Sequence, residues 1–231
     1  MPILFKTKYY KKIMSIKNNV TRILSTLPSN VKYVVVSKFR PLEQLQEAYG
    51  AGMRIFAESR PAELAAKAAA LPSDIHWHFI GHLQTNKLKM VLPYAELIHS
   101  ADSLRLLEAI ERYCCAQAMN NVNVLMEIHV AAEESKQGFS PEEAISFFEN
   151  SDFSNYTHIS FCGLMGMATN TDDSVRIEAD FATMNSLFQR IKNMDNCPES
   201  FRELSIGMSD DYLLALKHGS TMVRIGSASF E

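Results

Sequence analysis

Apolar positions along the chain follow two patterns, short runs typical of buried strands and longer stretches with the three-and-four spacing of amphipathic helices. Runs rich in β-branched and aromatic residues predict eight strands, at residues 31–38, 54–59, 75–81, 96–100, 122–130, 158–167, 202–208 and 222–225. Stretches with helical spacing or helix-start residues predict helices at residues 9–27, 41–50, 61–71, 86–92, 103–119, 175–194 and 210–217, and one that begins at Ser140.

Strands and helices alternate from one end of the chain to the other, which is the pattern of a parallel α/β fold. Eight such units within 231 residues predict a single (β/α)8 TIM barrel, with the helix at residues 9–27 as an extra N-terminal element. No shift in composition marks a boundary, so residues 1–231 are predicted to form one domain. A doubly wound open sheet is the alternative that the same alternation allows.

Three helix starts carry more specific predictions. Ser140 is followed by a proline and by Glu143 three positions on, which predicts a serine N-cap with an acidic residue that reaches back to it. Asp102 is predicted to cap the helix at residues 103–119. The helix after the seventh strand is predicted to begin at Ser209 or Asp210.

Composition places the chain among ordinary globular proteins. Apolar residues make up 47% and charged residues 21%, and the formal net charge of −3 argues against nucleic acid as a main partner. No apolar stretch has the length of a signal peptide core or a membrane span. The four cysteines lack C-x-x-C spacing, so free thiols in a reducing compartment are expected. Together these features predict a cytoplasmic protein.

Lys38 is the residue on which the chemical interpretation depends. It stands at the carboxyl end of an apolar strand, just before a turn that ends at Pro41. A parallel strand buried on both faces has little use for an ammonium group, so Lys38 is expected to point into the crevice where α/β proteins bind ligands. A lysine desolvated there can attack a carbonyl and form a Schiff base. A lysine that caps the strand end in water is the alternative.

The last two strands run into loops suited to phosphate, which barrels often bind after strands seven and eight. Ser209 offers a hydroxyl and backbone N–H groups at a predicted helix start, and Gly226 and Ser227 let the backbone approach an anion closely. Each loop alone also fits a plain N-cap or a plain turn. Their occurrence after both strands favours phosphate.

Arg224 lies inside an apolar run, so its charge must find a partner or a cavity. A guanidinium beside a pyridine nitrogen keeps that nitrogen unprotonated, because two adjacent cations repel each other. The lysine, the phosphate loops and this arginine together point to pyridoxal 5′-phosphate (PLP), whose aldehyde needs an amine and whose phosphate needs N–H donors.

Seven stretches carry a family resemblance, and they read VSK (36–38), FAESR (56–60), WHFIGHLQTNK (77–87), EESKQG (133–138), GLM (163–165), LSIGMSDD (204–211) and GSTMVRIG (219–226). In this order, and spread over nearly the whole chain, they resemble the pyridoxal phosphate homeostasis protein family. That family is similar in its barrel to the N-terminal domain of alanine racemase. The resemblance therefore implies a fold-type III PLP-binding barrel.

The resemblance also implies where the cofactor binds. Lys38 would be the Schiff-base lysine, and Arg224 would face the pyridine nitrogen. The residues expected to hold the phosphate or to line the site are Ser209, Gly226, Ser227 and Met208.

Three positions depart from the family's usual pattern. The family has Gly-Glu-Asn where this chain has Ala57-Glu58-Ser59, so Ser59 would offer a shorter hydroxyl contact near the cofactor ring in place of an asparagine. Ser227 replaces a threonine and keeps the hydroxyl. The chain ends in Ser229-Phe230-Glu231, where the family has an apolar residue and glycine.

A metal site is the competing interpretation of the histidines around the third strand. His76, His78 and His82 share parity on this strand and its exit, a spacing that would suit zinc. The sequence fixes no acidic partner, and the family resemblance gives these residues no metal role. No metal is therefore expected.

The resemblance implies a protein that carries PLP on Lys38 and takes part in intracellular vitamin B6 homeostasis, without robust catalysis. PLP-dependent apoenzymes that receive the cofactor are candidate partners, no membrane partner is expected, and a monomer is expected. A PLP-dependent amino-acid racemase is the alternative. Related racemases take a second acid–base group, a tyrosine, from a C-terminal domain for which this chain has no room, although Tyr33, Tyr212 or a second subunit remain open. A phosphate-binding barrel enzyme without a cofactor, which would be colourless, is a third possibility.

Overall fold

The computed structural model describes residues 15–132 and 137–231. Eight parallel strands pair in chain order, and the last pairs with the first, so the sheet closes into a barrel. The strands are β1 Lys32–Val36, β2 Ile55–Glu58, β3 His76–Phe79, β4 Ala95–Ala101, β5 Val122–Ile128, β6 Ile159–Gly166, β7 Glu203–Ser205 and β8 Met222–Ile225. The predicted (β/α)8 barrel is confirmed, and the closure of β8 onto β1 rules out the open doubly wound sheet.

Helices connect the strands along the outside of the barrel, and in the described ranges one helix precedes β1 and one follows β8. They are α1 Ile16–Leu24, α2 Leu42–Gly50, α3 Pro61–Ala70, α4 Leu88–Val91, α5 Leu104–Ala116, α6 Pro141–Asn150, α7 Ser174–Lys192, α8 Tyr212–Lys217 and α9 Ser227–Phe230. Single 3-10 turns lie at Thr85–Lys87 and Phe153–Asn155. Within the described ranges, no helix combines the length and the apolar character needed to cross a bilayer.

Alternation along each strand divides its side chains between the barrel interior and the helix layer. In β1, Val34 and Val36 belong to the apolar cluster inside the barrel, whereas Tyr33 and Val35 belong to the larger cluster between sheet and helices. Lys38 continues the interior series two residues beyond Val36, just past the carboxyl end of the strand. The period of the strand therefore brings this lysine to the mouth of the barrel.

The first helix is shorter than predicted. Ser15 is its N-cap, and the extended backbone of that residue begins a helix rather than continuing one. A single helix over residues 9–27 is therefore wrong, and residues 9–14 lie outside the described part of the chain. At its other end the helix stops at Leu24, three residues early, because the Ser25 hydroxyl turns back to bond a backbone carbonyl.

The capping prediction is confirmed at one helix and wrong at another. The Ser140 hydroxyl accepts a hydrogen bond from the Glu143 N–H at 3.1 Å, and the Glu143 carboxylate accepts one from the Ser140 N–H at 2.8 Å. For α5 the N-cap is Ser103 rather than Asp102. The Asp102 carboxylate instead contacts His82 at 2.9 Å and accepts a hydrogen bond from the Ser103 hydroxyl at 3.0 Å.

The end of the chain differs most from prediction. β7 has three residues, because Gly207 takes a left-handed φ of 94° and ends the extended run. α8 begins at Tyr212, and not at Ser209 or Asp210, because the carboxylate of Asp211 binds the Met208 N–H and holds the intervening residues in a turn. α9 was not predicted, since four residues carry too little periodicity to indicate a helix.

Candidate functional site

The carboxyl ends of the strands surround a cavity of about 510 Å³. It brings together all seven residues that the sequence analysis assigned to cofactor binding, namely Lys38, Ser59, Met208, Ser209, Arg224, Gly226 and Ser227. Seven further residues line it without having been predicted, namely Val36, Phe39, Arg40, Ile80, Met165, Met167 and Asp210. A larger cavity of about 640 Å³ opens on the outside of the barrel, between α5 and α6, and contains none of the predicted residues.

Lys38 contributes an uncommitted amine to this cavity. Its side chain is exposed at the cavity mouth, and within residues 15–132 and 137–231 it has neither an ion-pair nor a hydrogen-bond partner. The next residue, Phe39, has a φ of 63°, so the chain turns sharply directly after the lysine. The sharp turn lets the rim of the cavity follow immediately on the strand. Lys38 therefore lines the predicted crevice, but at its solvent-exposed mouth and not in its interior.

The loops after β7 and β8 lie against each other across the cavity. The Ser209 hydroxyl accepts hydrogen bonds from the N–H groups of Gly226 at 3.2 Å and Ala228 at 3.4 Å, which ties the two loops together. In the described part of the chain, no oxygen accepts a hydrogen bond from the backbone N–H of Ser209, Asp210 or Ser227. Unpaired donors from two loops at one cavity form a suitable setting for an anion.

Arg224 closes the interior side of the cavity. Its side chain is only 4% exposed, and its guanidinium donates to the Ser205 carbonyl and hydroxyl at 2.7 Å each and to the Gly166 carbonyl at 3.0 Å. These contacts use three of the five guanidinium N–H donors. Burial lowers the pKa of Arg224 to about 10, with Glu127 nearby opposing that shift, so the group stays charged at neutral pH.

A hydrogen-bonded chain runs from Arg224 into the barrel. Ser205 Oγ lies 3.1 Å from His99 Nδ1, and His99 Nε2 lies 3.0 Å from His78 Nδ1. Because a guanidinium can only donate, the Ser205 hydroxyl accepts from it and donates onward to His99. His99 then carries its proton on Nε2 and donates to His78. Burial lowers the pKa of His78 to about 3 and that of His99 well below its ordinary value, so both rings are neutral.

Glu127 is a further buried group near the site that the sequence did not single out. It is 8% exposed near the end of β5, on the interior side of the strand. Burial raises the pKa of Glu127 to about 7, and nearby Asp102 raises it further while Arg224 opposes the rise. The only sequence signal for this residue is a carboxylate inside a run of apolar strand residues.

Ser59 and Met208 line the cavity at different depths. Ser59 is half-buried just beyond β2, where Gly81 passes so close that a Cβ on that glycine would lie 2.1 Å from the Ser59 carbonyl oxygen. Met208 is 38% exposed at the cavity rim. The serine is therefore fixed by a tight backbone contact, whereas the methionine is open to solvent.

The three histidines considered as zinc ligands, and not expected to bind metal, take three different partners. His76 bonds to Glu96, His78 to His99, and His82 to Asp102. Nowhere in the described ranges do three His, Cys, Asp or Glu side chains gather as metal ligands would. Because strand residues alternate, the three histidines share one parity along the strand and its exit. They are spread along the length of the barrel and do not converge on one point.

The two tyrosines considered as racemase groups do not line the cavity. The Tyr33 hydroxyl lies 2.7 Å from Ser229 Oγ, on the helix side of β1, and burial raises its pKa to about 12. The Tyr212 hydroxyl lies 3.1 Å from Thr26 Oγ1. Both hydroxyls are thus engaged away from Lys38. The EESK part of the sequence motif at residues 133–138 lies outside the described residues.

Comparison with known families and proteins bears on this site. A family model described as "Alanine racemase, N-terminal domain" matches residues 12–231. A pyridoxal phosphate homeostasis protein of Helicobacter pylori is 38% identical over 203 residues, which cover 87% of this chain and 87% of that protein. The human protein of the same name is 36% identical over 209 residues, covering 86% of this chain and 75% of that protein.

Solved structures give the same picture of the fold. The structure of PipY from Synechococcus elongatus with PLP bound has a TM-score of 0.83 and 29% identity, covering 94% of this chain and all (100%) of that one. Alanine racemase from Bartonella henselae has a TM-score of 0.72 and 16% identity, covering 93% of this chain and 58% of that one. At that identity the racemase supports the shared fold alone.

Proposed function

The chain belongs to the alanine racemase N-terminal domain family, and on that premise we propose that it binds pyridoxal 5′-phosphate on Lys38 and serves in PLP homeostasis. Its relatives carry the name pyridoxal phosphate homeostasis protein at 34–38% identity, and PipY binds PLP. The observation that carries the proposal is the meeting, in one cavity, of a free amine, unpaired N–H donors from two loops and a buried guanidinium.

The donor set fits the three chemical parts of this cofactor. Lys38 supplies the amine that an aldehyde requires, and the loop N–H groups with the Ser209 and Ser227 hydroxyls suit a phosphate. Gly226 lines the cavity without a side chain, so its backbone can approach an anion closely. Among the residues that the structure describes, two N–H donors of Arg224 have no partner and could face a ring nitrogen acceptor.

The roles of the individual residues follow from this fit. Arg224 keeps a facing pyridine nitrogen unprotonated, because its own charge is held in place by Ser205 and Gly166. Ser59 and Met208 would line the site around the ring, the serine half-buried and the methionine at the rim. Lys38 would hold the cofactor through its amine, and the cofactor would supply an aldehyde that can condense with that amine with loss of water.

The proposal extends to the protein as a whole. Residues 1–231 act as one domain and as a monomer, in the cytoplasm, where the four unpaired cysteines are expected to stay reduced. PLP-dependent apoenzymes are the expected recipients of the cofactor. The proposal includes no robust catalysis. The racemase alternative needs a tyrosine as its second acid–base group, and none lies among the described residues that line the cavity.

An absorbance spectrum of the purified protein tests this function. Wild type with added PLP should turn yellow and lose the band on borohydride reduction, whereas Lys38→Ala should form no such band. Lys89→Ala, which changes an exposed lysine of α4 outside the cavity, is the matched control and should behave as wild type. A wild-type protein that stays colourless with PLP would contradict the proposal and leave an unassigned phosphate-binding barrel.

A further inference from the structure

The backbone on both sides of Lys38 is held by one ion pair on helix α3. Lys67 Nζ donates a hydrogen bond at 2.8 Å to the Ser37 carbonyl, which belongs to the peptide group before Lys38. Glu63 Oε2 accepts a hydrogen bond at 3.1 Å from the Phe39 N–H, which belongs to the peptide group after Lys38. Glu63 and Lys67 are four residues apart in the helix and pair with each other at 3.1 Å.

The ammonium of Lys67 has no spare capacity. It is only 7% exposed, and its three N–H donors meet three acceptors, the third being Glu58 Oε1 at 2.6 Å. The same Glu58 oxygen accepts from the Ser37 hydroxyl at 2.6 Å, and Glu58 is fully buried. The Lys67 ammonium is therefore buried, paired and fully hydrogen-bonded, and it links its partners in one geometry, while among the described residues Glu58 Oε2 has no hydrogen-bond partner.

The turn after Lys38 needs such support. Phe39 adopts a φ of 63°, a left-handed conformation that residues other than glycine rarely adopt. Such a conformation persists where surrounding contacts hold it. The turn is closed by a hydrogen bond from the Arg40 N–H to the Ser37 carbonyl at 3.0 Å, and the Phe39 N–H itself is held by Glu63. Without the contact to Glu63, the turn can relax and carry the Lys38 side chain with it.

We propose that the Glu63–Lys67 pair of α3 is a positioning device, which fixes the peptide groups on both sides of Lys38 so that its amine meets the bound aldehyde. This inference rests on the proposed PLP-binding function and goes beyond it, since neither residue lines the cavity. A flexible lysine side chain attached to a fixed backbone loses less conformational freedom when its nitrogen is bonded. The pair thus acts on the covalent step and not on the phosphate contacts.

Two probes separate these steps. PLP can bond to Lys38, whereas pyridoxine 5′-phosphate has an alcohol in place of the aldehyde and can use only the ring and phosphate contacts. Glu63→Ala removes the contacts of this carboxylate with Phe39, Lys67 and an exposed Arg60. Loss of the charged hydrogen bond to the Phe39 N–H should weaken PLP binding at least about tenfold. The same variant should leave the affinity for pyridoxine 5′-phosphate unchanged.

Two further variants complete the design. Glu63→Gln keeps an oxygen that can accept from both Phe39 and Lys67, and it should restore PLP affinity to nearly the wild-type value. Glu108→Ala removes the glutamate of another i,i+4 pair, with Arg112 on α5, and should change neither affinity. Thermal melting of each apoprotein reports any general loss of stability separately.

The outcomes are distinct. Equal affinity of Glu63→Ala and wild type for PLP, or equal weakening with both probes, would overturn the positioning role. Failure of the wild type to form a borohydride-reducible bond with PLP would overturn the proposed function itself, and this inference with it. Weakened PLP binding, unchanged binding of the alcohol and rescue by glutamine would establish the role.

Discussion

Glu127 places a carboxyl group inside the barrel, where its ionisation opposes folding. Its pKa is about 7 in the folded protein against an ordinary 4.5, with burial as the main cause. Below pH 4.5 the group is protonated in both states and has no effect on stability. As the pH rises to 7 the unfolded chain ionises first, so stability is lost, and above pH 7 the loss is complete.

Glu127→Gln should therefore stabilise the protein in a pH-dependent way. Glutamine resembles the protonated carboxyl, so the variant avoids a cost of about 3 kcal/mol at pH 8 and gains little at pH 4.5. Chemical unfolding of both proteins at the two pH values measures the difference. A gain that is the same at both values would show that ionisation of Glu127 is not its cause.

At the scale of single elements, the local sequence correctly predicted where most helices and strands begin and where some of them end. The eight strands were all predicted because each carries its own apolar run, and β8 was predicted with its observed bounds Met222–Ile225. The start of α6 was predicted because a capping box is a local signal. The N-cap of α5 was mispredicted because the Asp102 carboxylate binds His82, and the start of α8 because the Asp211 carboxylate binds the Met208 N–H. Local sequence reveals neither partner.

The turn at Gly207 gives a prediction at this scale. Its φ is 94°, and a Cβ there would lie 2.6 Å from the Ala215 Cβ, so it ends β7 and seats α8 against the strand. Gly207→Ala should lower the free energy of unfolding by at least about 1–2 kcal/mol, the cost of a left-handed conformation before any clash.

Gly50 provides the matched control for this substitution. It lies at the end of α2, and no atom lies within 4 Å of the place that an added Cβ would take, so Gly50→Ala should be neutral or stabilising by about 0.5–1 kcal/mol. Thermal or chemical unfolding of the two variants measures both effects. If Gly207→Ala were as stable as Gly50→Ala, the backbone of Gly207 would not be the constraint that ends β7.

At the scale of the whole molecule, closure of the barrel assembles chemistry that no local pattern contains. Strand ends that meet at one side of the barrel predicted Lys38 and the loop residues Ser209, Gly226 and Ser227, and the cavity contains them. The cavity also contains Arg224, which was predicted from its charge within an apolar run, and Ser59 and Met208, which only the family resemblance implied. The chain from Arg224 through Ser205 and His99 to His78 was not predicted, because it joins four strands through the barrel interior. In the sequence its members are isolated polar residues, and only closure of the barrel brings them into contact.

For the molecule as a whole, we predict that the protein does not racemise amino acids. The hydroxyls of Tyr33 and Tyr212 are bonded to Ser229 and Thr26, away from the cavity, so neither tyrosine supplies a second acid–base group opposite Lys38. The PLP-loaded protein should not interconvert L- and D-alanine above the rate of free PLP. Turnover that disappears in Tyr33→Phe or Tyr212→Phe would contradict this and favour the racemase.

The central claim is that Lys38, among all lysines of the chain, bonds to PLP. Borohydride reduction of the PLP-loaded protein, followed by proteolysis and mass spectrometry of the peptides, locates that bond directly. We expect the reduced pyridoxyl group on Lys38, and none on Lys67, whose three donors are occupied in the structure. A label on another lysine, or no label at all, would contradict the account.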